Sequence, residues 1–262
     1  MGKVDHPFGF TGKVGSLLFY KTGMHDGIMV RQAKGIPGRR IKNDHNYGLL
    51  RKHSEEFKAR NILSSIIYKS LWDIKPVFDH IFYNQMISRS SKIQNLENQN
   101  NIGKREIWFS QFGSLFEGLS FNKRNSWEQF IKSTADIQFD QEKKTFKLSI
   151  PELVPGEGFN KAVDLPYCRF LFVLTVVPDI VLTPLGYKPT IGALKPITAA
   201  TGWLPCDKTL PATELQVSIP EITGEPYTFM LSTAISFGRM EGKMEVVKYV
   251  GAGRIMKVVN GQ

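Results

Sequence analysis

The period of the apolar positions changes along this chain, and each change predicts a different element. Near the start, the short apolar runs Ser16–Lys21 and Ile28–Arg31 flank Thr22–Gly27, a glycine-bearing stretch that ends in Asp-Gly. This pattern predicts a β-hairpin within Gly9–Arg31. Ala33–Lys42 holds two Gly, one Pro and four cations, which predicts an irregular connector. The pair Asn43-Asp44 then suits a helix cap. Leu49, Leu50, His53, Phe57, Leu63, Ile66, Ile67, Leu71 and Ile74 recur near helical spacing, with Lys52, Glu55, Glu56, Lys58 and Arg60 on the other face. Pro76 ends or kinks that helix, and Val77, Phe78, Ile81, Phe82 and Met86 predict a second one to about Arg89. Ser90–Gly103 is polar and rich in Asn and Gln, so a boundary is placed at 93–103.

Beyond that boundary the pattern turns to strands. Ile107–Phe112 and Ser114–Phe121 read as strand-like, and Asn125–Ser133 as one short helix. Asp136–Asp140 and Thr145–Ile150 alternate at period two and predict a hairpin. Pro151–Pro166 is a loop rich in Pro and Gly. Tyr167–Val177 is a continuous apolar run, as expected for a central strand covered on both faces. Ile180–Tyr187 and Ile197–Leu204 are weaker strands among Pro184, Pro189 and Pro196. Glu214–Ile219 and Tyr227–Phe237 are clear strands, and Met244–Val250 with Gly253–Val259 read as a closing hairpin over Gly251–Gly253. The class is therefore α+β: an N-terminal β-hairpin and two helices, followed by an antiparallel Greek-key β-sandwich. The expected organisation is a basic unit over 1–92, a linker over 93–103 and a sandwich over 104–262.

Charge sharpens this division. The formal net charge is +10; residues 1–92 carry 16 Lys/Arg against 7 Asp/Glu, and the remainder 18 against 17. A basic front of this kind favours a polyanion or an acidic protein surface. Eighteen Phe point to aromatic-rich packing or to surfaces buried against partners. Cys168 and Cys206 are too few for a disulfide scaffold, and Cys168 in its apolar run reads as a buried thiol. The first residues hold no apolar secretory core, and Phe170–Val177, the longest apolar run, is too short to span a bilayer. Synthesis in the cytoplasm without a signal peptide and no membrane insertion are expected; the final location, including incorporation in a particle or assembly, stays open.

No chemistry is spelled out. Gly12-Lys13 invites a phosphate loop, but Pro7 stands where the first glycine belongs and Val14 where the hydroxyl belongs. Patterns for zincins, nucleophile elbows, paired-cysteine metal sites and dinucleotide folds are absent. Glu152, Glu157 and Asp164 share one loop, and Cys206-Asp207 with a distant histidine is the other arrangement a hydrolase would need. No cofactor is implied. Lys13, Lys21, Arg31, Arg39, Arg40 and Lys42 interleave with Tyr20 and with His25 at the hairpin tip, and these eight are the candidate polyanion or partner contacts. A two-stranded hairpin is barely stable alone and needs something to lean on. The expected role is a non-enzymatic structural or interaction protein that self-associates in a larger assembly, of the virion or secretion-machine kind. The alternative is a DNA- or RNA-binding protein using the basic front, and the third reading is a hydrolase with an unrecognised site.

Gly12, Lys13, Gly15, Phe19, Tyr20, Lys21, Gly27, Val30 and Arg31 together resemble the opening of an uncharacterised bacterial protein family of unknown function. The resemblance implies a basic linker, an amphipathic helical segment and a β-rich C-terminal part. Lys42-Asn43-Asp44 stands where that family starts its helix with an Asn-Pro-Arg-Thr-like sequence, and here the Pro-Arg-Thr is missing. The family supplies no activity.

Overall fold

The computed structural model describes residues 2–4, 10–22, 25–32, 35–140, 142–162, 164–192, 194–222 and 227–261. The chain divides into two compact units, Met1–Arg51 and Lys52–Gln262.

In the first unit, β1 (Gly2–Val4), β2 (Gly12–Val14), β3 (Leu17–Thr22) and β4 (His25–Gln32) form one antiparallel sheet in the order β1-β4-β3-β2. The expected hairpin is thus two strands of four. Gly15, with φ of +56°, and Ser16 make the two-residue turn between β2 and β3, because a primed hairpin turn needs positive φ. Gly27, expected in a turn, lies inside β4. The connector is not wholly irregular: α1 (Gly38–Asn43) starts after Pro37, whose φ of −53° already suits a helix start. Arg51 donates to the carbonyls of Ile41 (2.6 Å) and Asp44 (2.9 Å), satisfying the end of that helix. Asp44 accepts the N–H of Asn46 and caps the 3-10 turn His45–Tyr47, which leads into α2 (Gly48–Ser70).

In the second unit α2 runs to Ser70, and Pro76 falls in the 3-10 segment Trp72–Val77 that follows it. Next comes α3 (Phe82–Leu96), where Asp79 accepts the N–H groups of Ile81 and Phe82 at the helix start and that of Lys123 on its other oxygen. The expected linker at 93–103 lies inside this unit: α3 continues to Leu96, and Ile93 and Gln94 are buried. Ile107–Phe121 is not strand but α4 (Phe109–Phe112) and a 3-10 turn over Gly113–Phe116, and α5 (Trp127–Phe130) carries a Ser126/Gln129 capping box. The strands that follow are β5 (Asp136–Asp140), β6 (Thr145–Ile150), β7 (Tyr167–Pro178), β8 (Ile180–Thr183), β9 (Gly186–Pro189), β10 (Ile197–Ala200), β11 (Leu204–Pro205), β12 (Thr213–Ser218), β13 (Tyr227–Glu241), β14 (Lys243–Val246) and β15 (Ala252–Asn260). All their pairings are antiparallel, and with the helices they make an α+β protein.

The spine of this unit is the β7–β13 ribbon, paired from Tyr227↔Pro178 to Gly238↔Tyr167. Its outer edges are filled by strands in tandem. β10 and β11 share the free edge of β7, and β14 and β15 share that of β13. The expected closing hairpin is therefore a different object. β14 folds back on β13, and β15 returns to pair with the earlier part of β13 rather than with β14.

Alternation on the ribbon sends Phe170, Phe172, Leu174, Phe229 and Leu231 into one apolar cluster with Phe146, Leu148, Ile150, Leu215 and Val217 of the β12-β6-β5 sheet. Leu171, Val173, Val177, Met230 and Ala234 join the other cluster with Leu63, Ile67 and Leu71 of the α2 region and Phe82, Met86 and Ile93 of α3. Coverage on both faces is why Tyr167–Val177 is apolar throughout.

Candidate interaction face

Glu152, Glu157 and Asp164 are exposed, and their carboxylates make no hydrogen bond among the described residues. Cys206 is buried beside Cys168, whose thiol is pushed well above its ordinary value by the bond to Cys206 and by burial. Among the described residues no group of three or more His, Cys, Asp or Glu is placed to hold a metal ion, and no helix is long and apolar enough to cross a membrane.

Among the described residues the second unit holds three buried carboxylates, Glu56, Glu97 and Asp179. Glu97 accepts the N–H groups of Gln99 and Asn100 on one oxygen, at the end of α3, and the other two are held by more extensive structural bonds. Glu56 is 0% exposed on α2, not on the outer face that periodicity assigned to it. It takes a bidentate pair of bonds from Arg105 (2.8 and 2.7 Å) and the N–H of Gly103 (2.7 Å), with Arg60 at 3.4 Å. Arg60 also donates to Gln94 (2.6 Å), whose amide in turn donates to the Arg105 carbonyl.

Asp179 accepts the N–H and the hydroxyl of Ser110 at the start of α4 (2.7 and 2.6 Å). Burial pushes its carboxyl above the ordinary value, although the Ser110 hydroxyl and the N–H groups of Ser110 and Phe109 pull the other way. A raised carboxyl pKa means that the folded chain holds the proton more tightly than the unfolded one. The stabilising contribution is therefore full below the unfolded value and is lost as pH rises through the folded one. Asp179→Asn can keep both bonds while removing the buried charge. The variant is expected to match the wild type in acid and to exceed it near neutral pH, where the wild-type carboxylate is charged. Urea melts at the two pH values check this, and a loss at both would refute it.

The interaction candidates lie in the first unit, whose 51 residues carry 9 Lys/Arg against 3 Asp/Glu. Directly paired residues of adjacent strands share a face. The row Lys13–Leu18–Arg31 and the pair Tyr20–Met29 therefore lie on one side of the sheet. Val14–Leu17–Gln32 and Gly12–Phe19–Val30 lie on the other. The sheet is two-faced. One side joins cations to an aromatic ring, with the Arg31 guanidinium 5.5 Å from the Tyr20 ring centre. The other side is apolar, and Phe10 packs edge-on against Phe19 with ring centres 5.9 Å apart. Phe10 also crosses Gly12, where a Cβ would lie 3.3 Å from its ring.

Of the eight predicted contacts, this geometry brings Lys13, Tyr20 and Arg31 together. Lys21 sits, exposed, at the irregularity between Tyr20 and Thr22. Arg39, Arg40 and Lys42 are exposed on α1, a separate element, where Arg40 is within 3.4 Å of Asp44. Pro37, Arg39, Arg40, Asn43 and Asp44 line a shallow groove of about 460 Å³ there. The His25 side chain lies outside the described residues. Sequence reasoning found the cations but missed the apolar side. Ser16–Lys21 reads as one unbroken run, and only register separates Leu17 and Phe19 from Leu18 and Tyr20.

Comparison with protein-family models, with curated proteins and with solved structures finds no match to this chain.

Proposed function

We propose that this chain is a non-enzymatic assembly protein that self-associates through the apolar side of its N-terminal sheet. The observation that carries the reading is the exposure of that side. Val14 is 55%, Phe10 48% and Leu17 43% exposed, and Ile28 is the one buried hydrophobic residue among the described residues of the sheet. A thin sheet of this kind gains little from its own burial and gains more when the apolar side is covered. A second copy suits the role. Laying two apolar sides together buries both and leaves the cationic sides facing outward, so like charges are not brought together. The second unit serves as a rigid platform in this reading. We take its six-stranded and three-stranded sheets as a β-sandwich with Greek-key connections, supported by the apolar cluster they share.

Light scattering after size-exclusion chromatography tests the proposal. The wild type is expected to be a dimer or larger, and the double variant Val14→Lys, Leu17→Lys is expected to be a monomer. A wild type with single-chain mass across a wide concentration range would overturn it.

A second reading is favoured by the opposite side of the sheet. Lys13, Tyr20 and Arg31 on one surface suit a polyanion such as DNA or RNA, with phosphates met by the cations. The two readings use different sides and do not compete for the same residues.

A further inference from the structure

A separate surface in the second unit combines exposed rings with cations. The 3-10 segment Trp72–Val77 lies across the helix side of the central sheet. At one end the Asp73 carboxylate accepts the Thr198 hydroxyl of β10 (2.6 Å). At the other, the Pro76 carbonyl accepts the N–H of Tyr249 (2.8 Å), between β14 and β15. The segment thus joins the two edges of the sheet and carries Trp72 and Lys75 over it.

Trp72 is 60% exposed, and the Lys75 ammonium sits 3.9 Å from its ring centre. Tyr249 is 64% exposed and is held with φ of +66°, a conformation that costs a bulky residue energy and calls for a reason. The Asn122 and Asn125 side chains fix it by donating to its carbonyl. On β7, the Arg169 guanidinium lies 4.9 Å from the Trp203 ring centre, and Trp203 in turn rests on Gly238, where a Cβ would meet the indole at 2.9 Å. Arg169 feels the charge of Asp73, but its guanidinium makes no hydrogen bond among the described residues, and its Nε is buried without a partner.

The state of the polar groups decides what this surface accepts. The groups that would bond sugar hydroxyls are largely engaged: one oxygen of Asp73 accepts from Thr198, and the Asn122 and Asn125 amides donate to the carbonyls of Tyr249, Val250 and Gly251. The groups left to donate are the outer guanidinium nitrogens of Arg169 and the ammonium of Lys75. Flat exposed rings beside cations that lie against rings and make no ion pair among the described residues are the chemistry that stacks bases and pairs phosphates in single strands. We propose that Trp72, Lys75, Arg169, Trp203 and Tyr249 form a binding site for single-stranded nucleic acid, with bases stacked on Trp72 and Tyr249 and phosphates met by Arg169 and Lys75. This goes beyond the assembly reading and does not depend on it.

The test titrates the full chain with a short fluorescein-labelled oligothymidylate at low salt, following anisotropy and the quenching of tryptophan emission. Saturable, salt-sensitive binding with quenching is expected. Trp72→Ala removes an exposed ring, and Tyr249→Asn removes another while tolerating positive φ; each is expected to weaken binding about ten-fold. Lys13→Gln with Arg31→Gln is expected to leave the quenching intact, which separates this site from the N-terminal face. Absence of binding by the wild type overturns the proposal. So does binding that neither ring variant weakens, or quenching produced equally by an acidic polysaccharide that has no bases to stack.

Discussion

Glu56→Ala is expected to cost about 3–5 kcal/mol of folding stability, because it leaves two partly buried, charged guanidinium groups without their counter-ion. Arg105 loses both of its bonds to the carboxylate, Gly103 loses the acceptor for its N–H, and Arg60 keeps only Gln94. The network ties α2 to α3 and to the segment around Gly103–Arg105, and Tyr187 of β9 reaches the Arg105 carbonyl at 3.0 Å. Urea unfolding at neutral pH measures the loss as a drop in midpoint. The acid limb gives a second measurement. Burial alone would raise the Glu56 carboxyl, but the Arg105 bond, the Gly103 N–H and the charges of Arg105 and Arg60 outweigh it and hold the group below its ordinary value. A depressed carboxyl pKa contributes stability that is present above the unfolded value and is lost as pH falls through the folded one. Glu56→Gln, which keeps an acceptor but no charge, should therefore be destabilised at neutral pH and should show a flatter decline in acid than the wild type. Equal acid slopes for the two proteins would contradict the assignment.

The same residue marks where sequence reasoning stops. Helical spacing placed α2 correctly but turned its first half the wrong way. Leu49, Leu50 and Phe57 are exposed, whereas Glu56 and Ala59 are buried. Burial of Glu56 is decided by Arg105, 49 positions further on, and periodicity in a local window carries no trace of such a partner. Ile107–Phe121 failed for a related reason. Its short apolar runs read as strand-like, but Asp179, remote in sequence, receives the N–H and hydroxyl of Ser110 and secures the start of a short helix. Elements set by local pattern fared better. The β5–β6 pairing follows the period-two alternation, and β7 follows from an apolar run that only a doubly covered strand explains. The cations of the candidate interaction face were visible in the sequence, whereas its two-sidedness needed the register of three strands. The Trp72–Tyr249 surface was not legible at all, because its members come from positions 72 to 249 and are brought together by one 3-10 segment crossing the sheet.

That crossing, and the close seating of β15 beneath it, depend on glycines that periodicity read as a turn. Gly251→Ala is expected to lose about 3 kcal/mol, at the upper end of ordinary overpacking costs, because the added methyl meets backbone that cannot rotate away. Its Cβ would fall well inside contact distance of the Ile235 carbonyl oxygen and 3.0 Å from Val77 Cγ2. Gly253 is similarly enclosed, with a Cβ 2.6 Å from the Thr233 oxygen and 2.7 Å from the Phe121 ring. Neither glycine has positive φ, so the cost is steric rather than conformational. Relief requires β15 to move away from β13, and the Tyr249 N–H bond to Pro76 and the Asn122 bond to Gly251 move with it. Gly192→Ala is the control. Nothing lies within 4 Å of its Cβ and its φ is not positive, so it should be neutral or stabilise by about 0.5 kcal/mol through the unfolded chain. Urea midpoints for the two variants measure the contrast. Equal midpoints would mean that the β13–β15 approach is looser than these distances require, and the glycines would return to the role of turn residues that the sequence first suggested.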